Sequence, residues 1–235
     1  MTTLTRERER STTGRLVGAL ALLLAIIGAF SYGAFVVAAP LGWLRLPETR
    51  LAVFLSGAIV GELVAFVALA LLVRRRGISL RALGLGKRTN WRGVALALVV
   101  AGVYCAITAL NPAIGPDLLR FIPLKLLAIV AALVAGLVEE TIFRGYLMTS
   151  LAAQGRGPVA QIVVSGAVFA LAHFYAFTSP LALLVTFAMT FALGVGLAAA
   201  YLLGGRSLTP AIVGHTLVDL IIEPWLLLAF FTGAM

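Results

Sequence analysis

The sequence has very little charge. Only 11% of its 235 residues are charged, whereas roughly a quarter of the residues of a soluble domain are charged. Hydrophobic residues make up 62% of the chain, and mostly apolar stretches of about 18 residues or more recur along its whole length. This composition excludes a soluble globular protein. It predicts one all-α membrane domain, a polytopic helix bundle of about eight transmembrane helices.

Cysteine and histidine are also scarce. The single cysteine, Cys105, lies in an apolar run, so the chain cannot form an internal disulfide. The two histidines are His173 and His215, so any imidazole chemistry must use one or both of them. The sequence has no His-Glu-x-x-His motif, which removes the strongest sequence signal for a zinc protease.

The net charge of +9 does not indicate a nucleic-acid partner, because the basic residues are confined to particular loops. Thirteen of the 18 lie in the N-terminal tail (Arg6, Arg8, Arg10, Arg15), in the segment 74–92 (Arg74, Arg75, Arg76, Arg81, Lys87, Arg88, Arg92), and at Arg156 and Arg206. Basic loops stay on the cytoplasmic side of a membrane. The distribution therefore predicts a cytoplasmic N-terminus. We expect the lipid bilayer to be the partner of these basic loops.

The chain divides into a charged tail, residues 1–14, and a single transmembrane domain, residues 15–235. We expect the tail to be disordered and cytoplasmic. Proline and glycine interrupt the apolar runs and predict helices near 16–39, 51–73, 93–110, 124–153, 158–177, 180–203, 208–222 and 225–234. The basic segment 74–92 is predicted to be a solvated or headgroup-facing loop.

The informative residues are charges deep in apolar helices, because each costs at least about 2.5 kcal/mol at the bilayer centre. The uncharged run 126–138 is followed by Glu139 and Glu140, with Arg144 one helical turn after Glu140. At that spacing Glu140 and Arg144 lie on one face, which predicts a buried ion pair. Glu139 points about a quarter turn away and has no partner on its own helix. We therefore predict that Glu139 is a general base.

The histidines lie on two further apolar helices. If the helices on either side of the turn 155–158 form an antiparallel hairpin, Glu139 and His173 are equally far from that turn and lie at one depth. His215 has Asp219 one turn later, where the carboxylate can orient the imidazole ring. The depth of His215 relative to the hairpin stays open. If all three segments converge, they carry a base and two imidazoles, which is equipment for hydrolysing an amide.

These groups resemble the three motifs of the CPBP family of intramembrane proteases, the CAAX proteases and bacteriocin-processing enzymes, also called the Abi family. The resemblance covers about residues 124–222, with a weaker echo at 80–85. Its motif residues are Glu139, Glu140, Arg144, Phe169, His173, His215 and Asp219. The resemblance implies an eight-helix intramembrane endopeptidase that cuts a membrane-associated protein or peptide, here in the cytoplasmic membrane of a prokaryote.

The resemblance also implies a role for each motif residue. Glu139 and His173 would activate the attacking water, Glu140 and Arg144 would support the site, and His215 would stabilise the oxyanion. Such enzymes often carry asparagine where this chain has Asp219. An ionised carboxylate cannot donate a hydrogen bond, so orienting His215 is the expected role of that residue.

Metal use is left open by the sequence. The leading interpretation is a metal-free glutamate protease that needs no cofactor. The alternative is a zinc enzyme in which Glu139, His173 and His215 are the ligands and Glu140 is the base.

Two other classes of function fit the same residues. In a proton-coupled transporter the buried carboxylates and histidines would relay protons, but the inverted repeats typical of such proteins are not visible. In a non-catalytic immunity or scaffold protein the fold would bind a partner without turnover.

For Glu62, also within an apolar helix, we favour a structural hydrogen bond. Phe169 is expected to pack beside His173 and position it, and several glycines to be helix contact points: Gly145, Gly166, Gly194, Gly196 and Gly214.

Overall fold

The computed structural model describes residues 3–112, 123–173 and 180–232, and all regular secondary structure in these ranges is helical. The chain forms a helical bundle, as predicted. We number its helices α1 (Thr3–Ala38), α2 (Pro47–Arg75), α3 (Trp91–Ala109), α4 (Leu124–Ala153), α5 (Pro158–Ala172), α6 (Pro180–Leu203), α7 (Thr209–Ile221) and α8 (Glu223–Thr232).

The number of membrane spans is smaller than the number of helices. Among the described residues, five helices are long and apolar enough to cross a bilayer: α1, α2, α3, α4 and α6. A sixth span results if α7 and α8, which meet at a bend of 43°, are counted as one broken span. The expectation of about eight transmembrane helices is therefore corrected, because crossing requires about 20 residues and α5, α7 and α8 have 15, 13 and 10.

The predicted helix boundaries agree with the structure to within a few residues, with two differences. The segment 1–14, predicted to be a disordered tail, differs because α1 already begins at Thr3. Its alternating Arg and Glu residues are good helix formers, which accounts for the extension. The helix predicted over 158–177 ends at Ala172, so His173 lies just after the end of α5, and residues 174–177 lie outside the described ranges.

The helix α4 contains an irregular turn that the sequence did not reveal. Residues Thr141–Leu147 are wound as a π-helix between two α-helical parts. The buried Ser165 hydroxyl on α5 donates to the Phe143 carbonyl oxygen inside this segment, at 3.2 Å. π turns within α-helices are frequent at functional sites, and this one directly follows Glu140.

The basic segment 74–92 is not simply solvated, as its composition had suggested. Leu83 is buried with 1% exposure. The Arg76 guanidinium donates to the Tyr146 hydroxyl at 2.7 Å, and the Leu208 amide donates to the Gly84 carbonyl oxygen at 3.2 Å. The segment therefore has buried contacts in addition to its exposed basic side chains. Its hydrogen bonds connect α4 with the residue that precedes α7.

Glycine allows close approach of helices at the positions where the sequence predicted it. At five glycines an added Cβ atom would crowd a neighbouring element: Gly166, Gly194, Gly145, Gly196 and Gly214. The first two lie where α5 packs against α6. The prediction of close-packing points is confirmed. Small residues serve this purpose between membrane helices because backbones can then pack directly.

Gly93 offers a sharp test of this packing. A Cβ at Gly93 would lie 2.6 Å from the Ala200 carbonyl oxygen on α6, whereas a Cβ at Gly102 on the same helix would meet nothing within 4 Å. Gly93→Ala should therefore destabilise the protein by about 1–3 kcal/mol. Gly102→Ala is the matched control and should leave stability unchanged or raise it by about 0.5–1 kcal/mol. Thermal unfolding in detergent measures both, and equal melting temperatures would contradict the α3–α6 contact.

Candidate active site

The ion pair predicted on α4 is present and completely buried. Arg144 Nη1 lies 2.6 Å from Glu140 Oε1, and both side chains have 0% exposure. A desolvated charge is tolerated only when it is paired and hydrogen-bonded. Since neither side chain touches solvent, the pair can support a reaction but cannot itself receive a water from outside.

Arg144 is held by two further groups in addition to Glu140. Its Nη2 donates to the Gly194 carbonyl oxygen of α6 at 2.9 Å, and its guanidinium carbon lies 4.5 Å from the centroid of the Phe169 ring. The close approach of Gly166 and Gly194 brings that carbonyl within reach. Arg144 therefore connects α4, α5 and α6 around the carboxylate of Glu140.

His215 lies between two carboxylates. Its Nδ1 is 2.8 Å from Glu140 Oε1, and its Nε2 is 3.4 Å from Asp219 Oδ2. The second contact is the one that the one-turn spacing of His215 and Asp219 predicted. The first contact was not predicted, and it makes Glu140 the common partner of Arg144 and His215. A continuous chain of polar contacts thus runs from Asp219 to Arg144.

The contact between Glu140 and His215 depends on close packing of α4 against α7. Gly136 lies one turn before Glu140, and a Cβ there would collide with the Thr216 hydroxyl. The same hydroxyl donates to the Ala132 carbonyl oxygen at 3.4 Å. Without a side chain at Gly136, the two helices approach until His215, the neighbour of Thr216, reaches the carboxylate.

Glu139 and His173 form the accessible part of the site. His173 Nε2 lies 3.7 Å from Glu139 Oε2, and the side chains are 24% and 16% exposed. The prediction that the hairpin places the two residues at one depth is confirmed. A separation of 3.7 Å exceeds hydrogen-bond distance, so the two atoms do not bond directly, and Glu139 Oε2 accepts no hydrogen bond within the described part of the chain.

Phe169 fixes the orientation of His173. The two rings are 4.5 Å apart between centroids, and His173 Nδ1 lies 2.8 Å from the Phe169 carbonyl oxygen. A carbonyl oxygen only accepts, so Nδ1 is the donor and carries the proton. In the neutral ring Nε2 is then an acceptor, and it is the nitrogen that faces Glu139. The predicted positioning role of Phe169 agrees with this geometry.

The three motif helices converge on one cavity of about 380 Å³. Glu139, His173, His215 and Asp219 line it, together with apolar side chains from α1 and α2. A second space of about 70 Å³ adjoins the same two histidines from the side of α3 and α6. That volume is sufficient for water, which needs roughly 10–15 Å³ and several polar partners.

The zinc alternative can be tested on the donor set itself. Within 3–112, 123–173 and 180–232, no three His, Cys, Asp or Glu side chains are arranged to hold a metal ion. Each nitrogen of His215 already faces a carboxylate, and His173 Nδ1 faces a carbonyl oxygen. The residues proposed as a ligand set, Glu139, His173 and His215, do not fit such a site in this arrangement, so we derive no step through a metal.

Two acidic residues on the cavity wall were not assigned to the site from the sequence. Glu62 of α2 and Glu223 at the start of α8 both line the cavity. Glu62 had been interpreted as structural, although the cost of a carboxylate in an apolar helix was itself a signal for a site. Glu223 is followed by Pro224, and this pair predicts only the break between α7 and α8.

Comparison with known proteins agrees with this geometry. A family model described as type II CAAX prenyl endopeptidase Rce1-like matches residues 121–221. The match ends before Glu223 and does not include α1 or α2. No curated protein and no solved structure matches the chain.

Proposed function

Starting from the premise that residues 121–221 form an Rce1-like type II CAAX prenyl endopeptidase domain of the CPBP family, we propose that Glu139 and His173 activate water in this protein to cut a peptide bond within the membrane. The chain is an integral membrane protein, and the family model that matches it describes an endopeptidase. The observation that carries the proposal is the exposed pair at 3.7 Å beside a fully buried one.

The attacking water donates one hydrogen bond to Glu139 and one to His173 Nε2. Both atoms are acceptors, so the two lone pairs of the water oxygen are directed away from them, and one of these lone pairs attacks a carbonyl carbon in the cavity. As the water oxygen attacks, its proton passes to Glu139 and a tetrahedral oxyanion forms. Glu139 then gives that proton to the leaving nitrogen, and the carbon–nitrogen bond breaks. The products are a carboxylic acid and an amine.

His215 is proposed to stabilise the oxyanion. As an imidazolium, the ring can donate from Nδ1 to Glu140 and from Nε2 towards Asp219 and the cavity. Its positive charge would then lie beside the developing negative charge, where a preorganised donor is most effective. Glu140 and Arg144 hold that ring in place, and neither exchanges a proton with the substrate.

The substrate is proposed to be a membrane-associated protein or peptide. The cavity is bordered by α1 and α2, and α1 contributes Tyr32, which is half-exposed on the outer surface of the bundle. A chain lying in the bilayer could therefore reach Glu139 without crossing the membrane.

The proposal is tested by reconstituting the full chain in liposomes with membrane-anchored peptides and identifying the products by mass spectrometry. His173→Ala should lower kcat by about a hundredfold, because the water loses one of its two acceptors. Glu48→Gln, at the exposed start of α2, is the control and should cleave normally.

Repeating the cleavage assay with a chelator distinguishes the metal-free mechanism from the zinc alternative. Cleavage should persist in the presence of a chelator, and loss of activity that zinc restores would support a metal enzyme instead. Substrate flux driven by a pH gradient, with no cleavage of any peptide, would replace the protease with a transporter.

A further inference from the structure

Four of the nine acidic residues of the chain line one cavity. They come from four different helices: Glu62 from α2, Glu139 from α4, Asp219 from α7 and Glu223 from α8. Among the described residues that line this space, the groups able to carry positive charge are His173 and His215, and neither lysine nor arginine is present. The cavity is therefore lined by more acidic than basic side chains.

Glu62 is the carboxylate without an assigned task. It is 95% buried, and its Oε2 accepts no hydrogen bond within the described part of the chain. Glu139, Asp219 and Glu223 line the same cavity, and its basic groups are His173 and His215. A buried carboxylate oxygen without a donor costs free energy unless something else supplies one.

The missing donor is best supplied by the substrate. Glu139 is assigned to the attacking water in the proposed mechanism and Asp219 faces His215, whereas Glu62 and Glu223 lie outside the family-matched residues 121–221. The cavity volume of about 380 Å³ falls within the range of small-molecule pockets, roughly 300–1,000 Å³. It can therefore accept a peptide carbonyl and one long side chain together.

We propose that Glu62 and Glu223 form a subsite for a cationic side chain, lysine or arginine, of the peptide substrate close to the bond that is cut. This inference rests on the proposed protease function. It adds a selection rule that the catalytic pair alone does not give. A substrate with an acidic side chain at that position would meet like charges in a site of low dielectric, where repulsion is strong.

The test uses the wild-type chain in liposomes of zwitterionic lipid and a set of peptides that differ at one position. Lysine is moved along the positions that flank the cleaved bond and is compared with norleucine, which has a similar apolar stem without the charge. At one position lysine should raise kcat/KM about tenfold or more over norleucine, since a charge-assisted hydrogen bond forms only with lysine. Glutamate at that position should be cleaved more slowly than norleucine.

The variants Glu62→Gln and Glu223→Gln locate the subsite. Each should reduce the lysine-to-norleucine ratio of kcat/KM about tenfold or to near unity, whereas Glu48→Gln should keep the wild-type ratio. A purely structural Glu62 would slow both peptides equally and leave the ratio unchanged. That outcome would overturn the inference.

Failure of the subsite can be distinguished from failure of the protease. Efficient cleavage with no preference between lysine and norleucine at any position would overturn the subsite and leave the proposed function intact. Binding of fluorescent forms of the same peptides provides a second readout that does not need turnover. Equal affinities for the two peptides would overturn the subsite even if the chain cleaves neither.

Discussion

Replacing Glu139 by alanine or glutamine is expected to reduce kcat for peptide cleavage by about a hundredfold to ten-thousandfold, the usual contribution of a general base. Glutamine keeps the shape of the side chain and can still contact water, but it cannot take the proton. The rate is measured in liposomes with the substrate that the wild-type chain cleaves best.

The same variants should remain folded and inserted, because Glu139 is partly exposed and has no buried ion-pair partner on its own helix. Circular dichroism and the thermal unfolding profile check this, with Glu48→Gln as the matched acidic control. Turnover within a few-fold of the wild-type rate in Glu139→Gln would sink the proposed mechanism, whatever the fold of the chain.

Removal of Arg144 should have the largest effect on stability. Arg144→Met breaks the buried ion pair and leaves Glu140 with His215 as its remaining partner; removing one member of a buried pair costs about 3–5 kcal/mol in proteins. The expected result is a much lower unfolding temperature in detergent. Arg156→Met is the matched control, since Arg156 is exposed in the turn between α4 and α5.

A double variant distinguishes a charge effect from lost packing. Glu140→Gln combined with Arg144→Met removes both buried charges and should recover a large part of the lost stability. It should not recover catalysis, because His215 Nδ1 would face an amide in place of a carboxylate. A double variant less stable than Arg144→Met alone would show that Glu140 does not depend on the guanidinium.

Much of the site was predictable because helices have a regular rise. The equal distances of Glu139 and His173 from the turn at 155–158 placed the two residues side by side, and the structure brings them to 3.7 Å. The same periodicity predicted the Glu140–Arg144 pair and the contact of Asp219 with His215. These contacts are local, or are related by a single hairpin.

The contacts that were not predicted involve helices far apart in the chain. Glu140 meets His215 only because Gly136 lets α4 and α7 touch, and no spacing within one helix encodes that distance. Glu62 and Glu223 enter the cavity from elements whose placement depends on the packing of the whole bundle. The predicted number of membrane spans was too high for a simpler reason. Hydrophobicity identifies an apolar helix, but it does not show whether that helix is long enough to cross a bilayer.

The π-wound segment of α4 lies between two α-helical parts of the same helix. A π turn takes one more residue per hydrogen-bonded ring than an α turn, with bonds from i to i+5. The half before it carries Glu139 and Glu140, and the segment itself carries Tyr146, which is bonded to Arg76. Because the wider π turn absorbs one extra residue, deleting a single residue within 141–147 should restore an uninterrupted α-helix and leave the residues on either side on nearly the same faces. The π-wound segment therefore accommodates an extra residue while Glu139 and Glu140 before it and Tyr146 within it meet their partners.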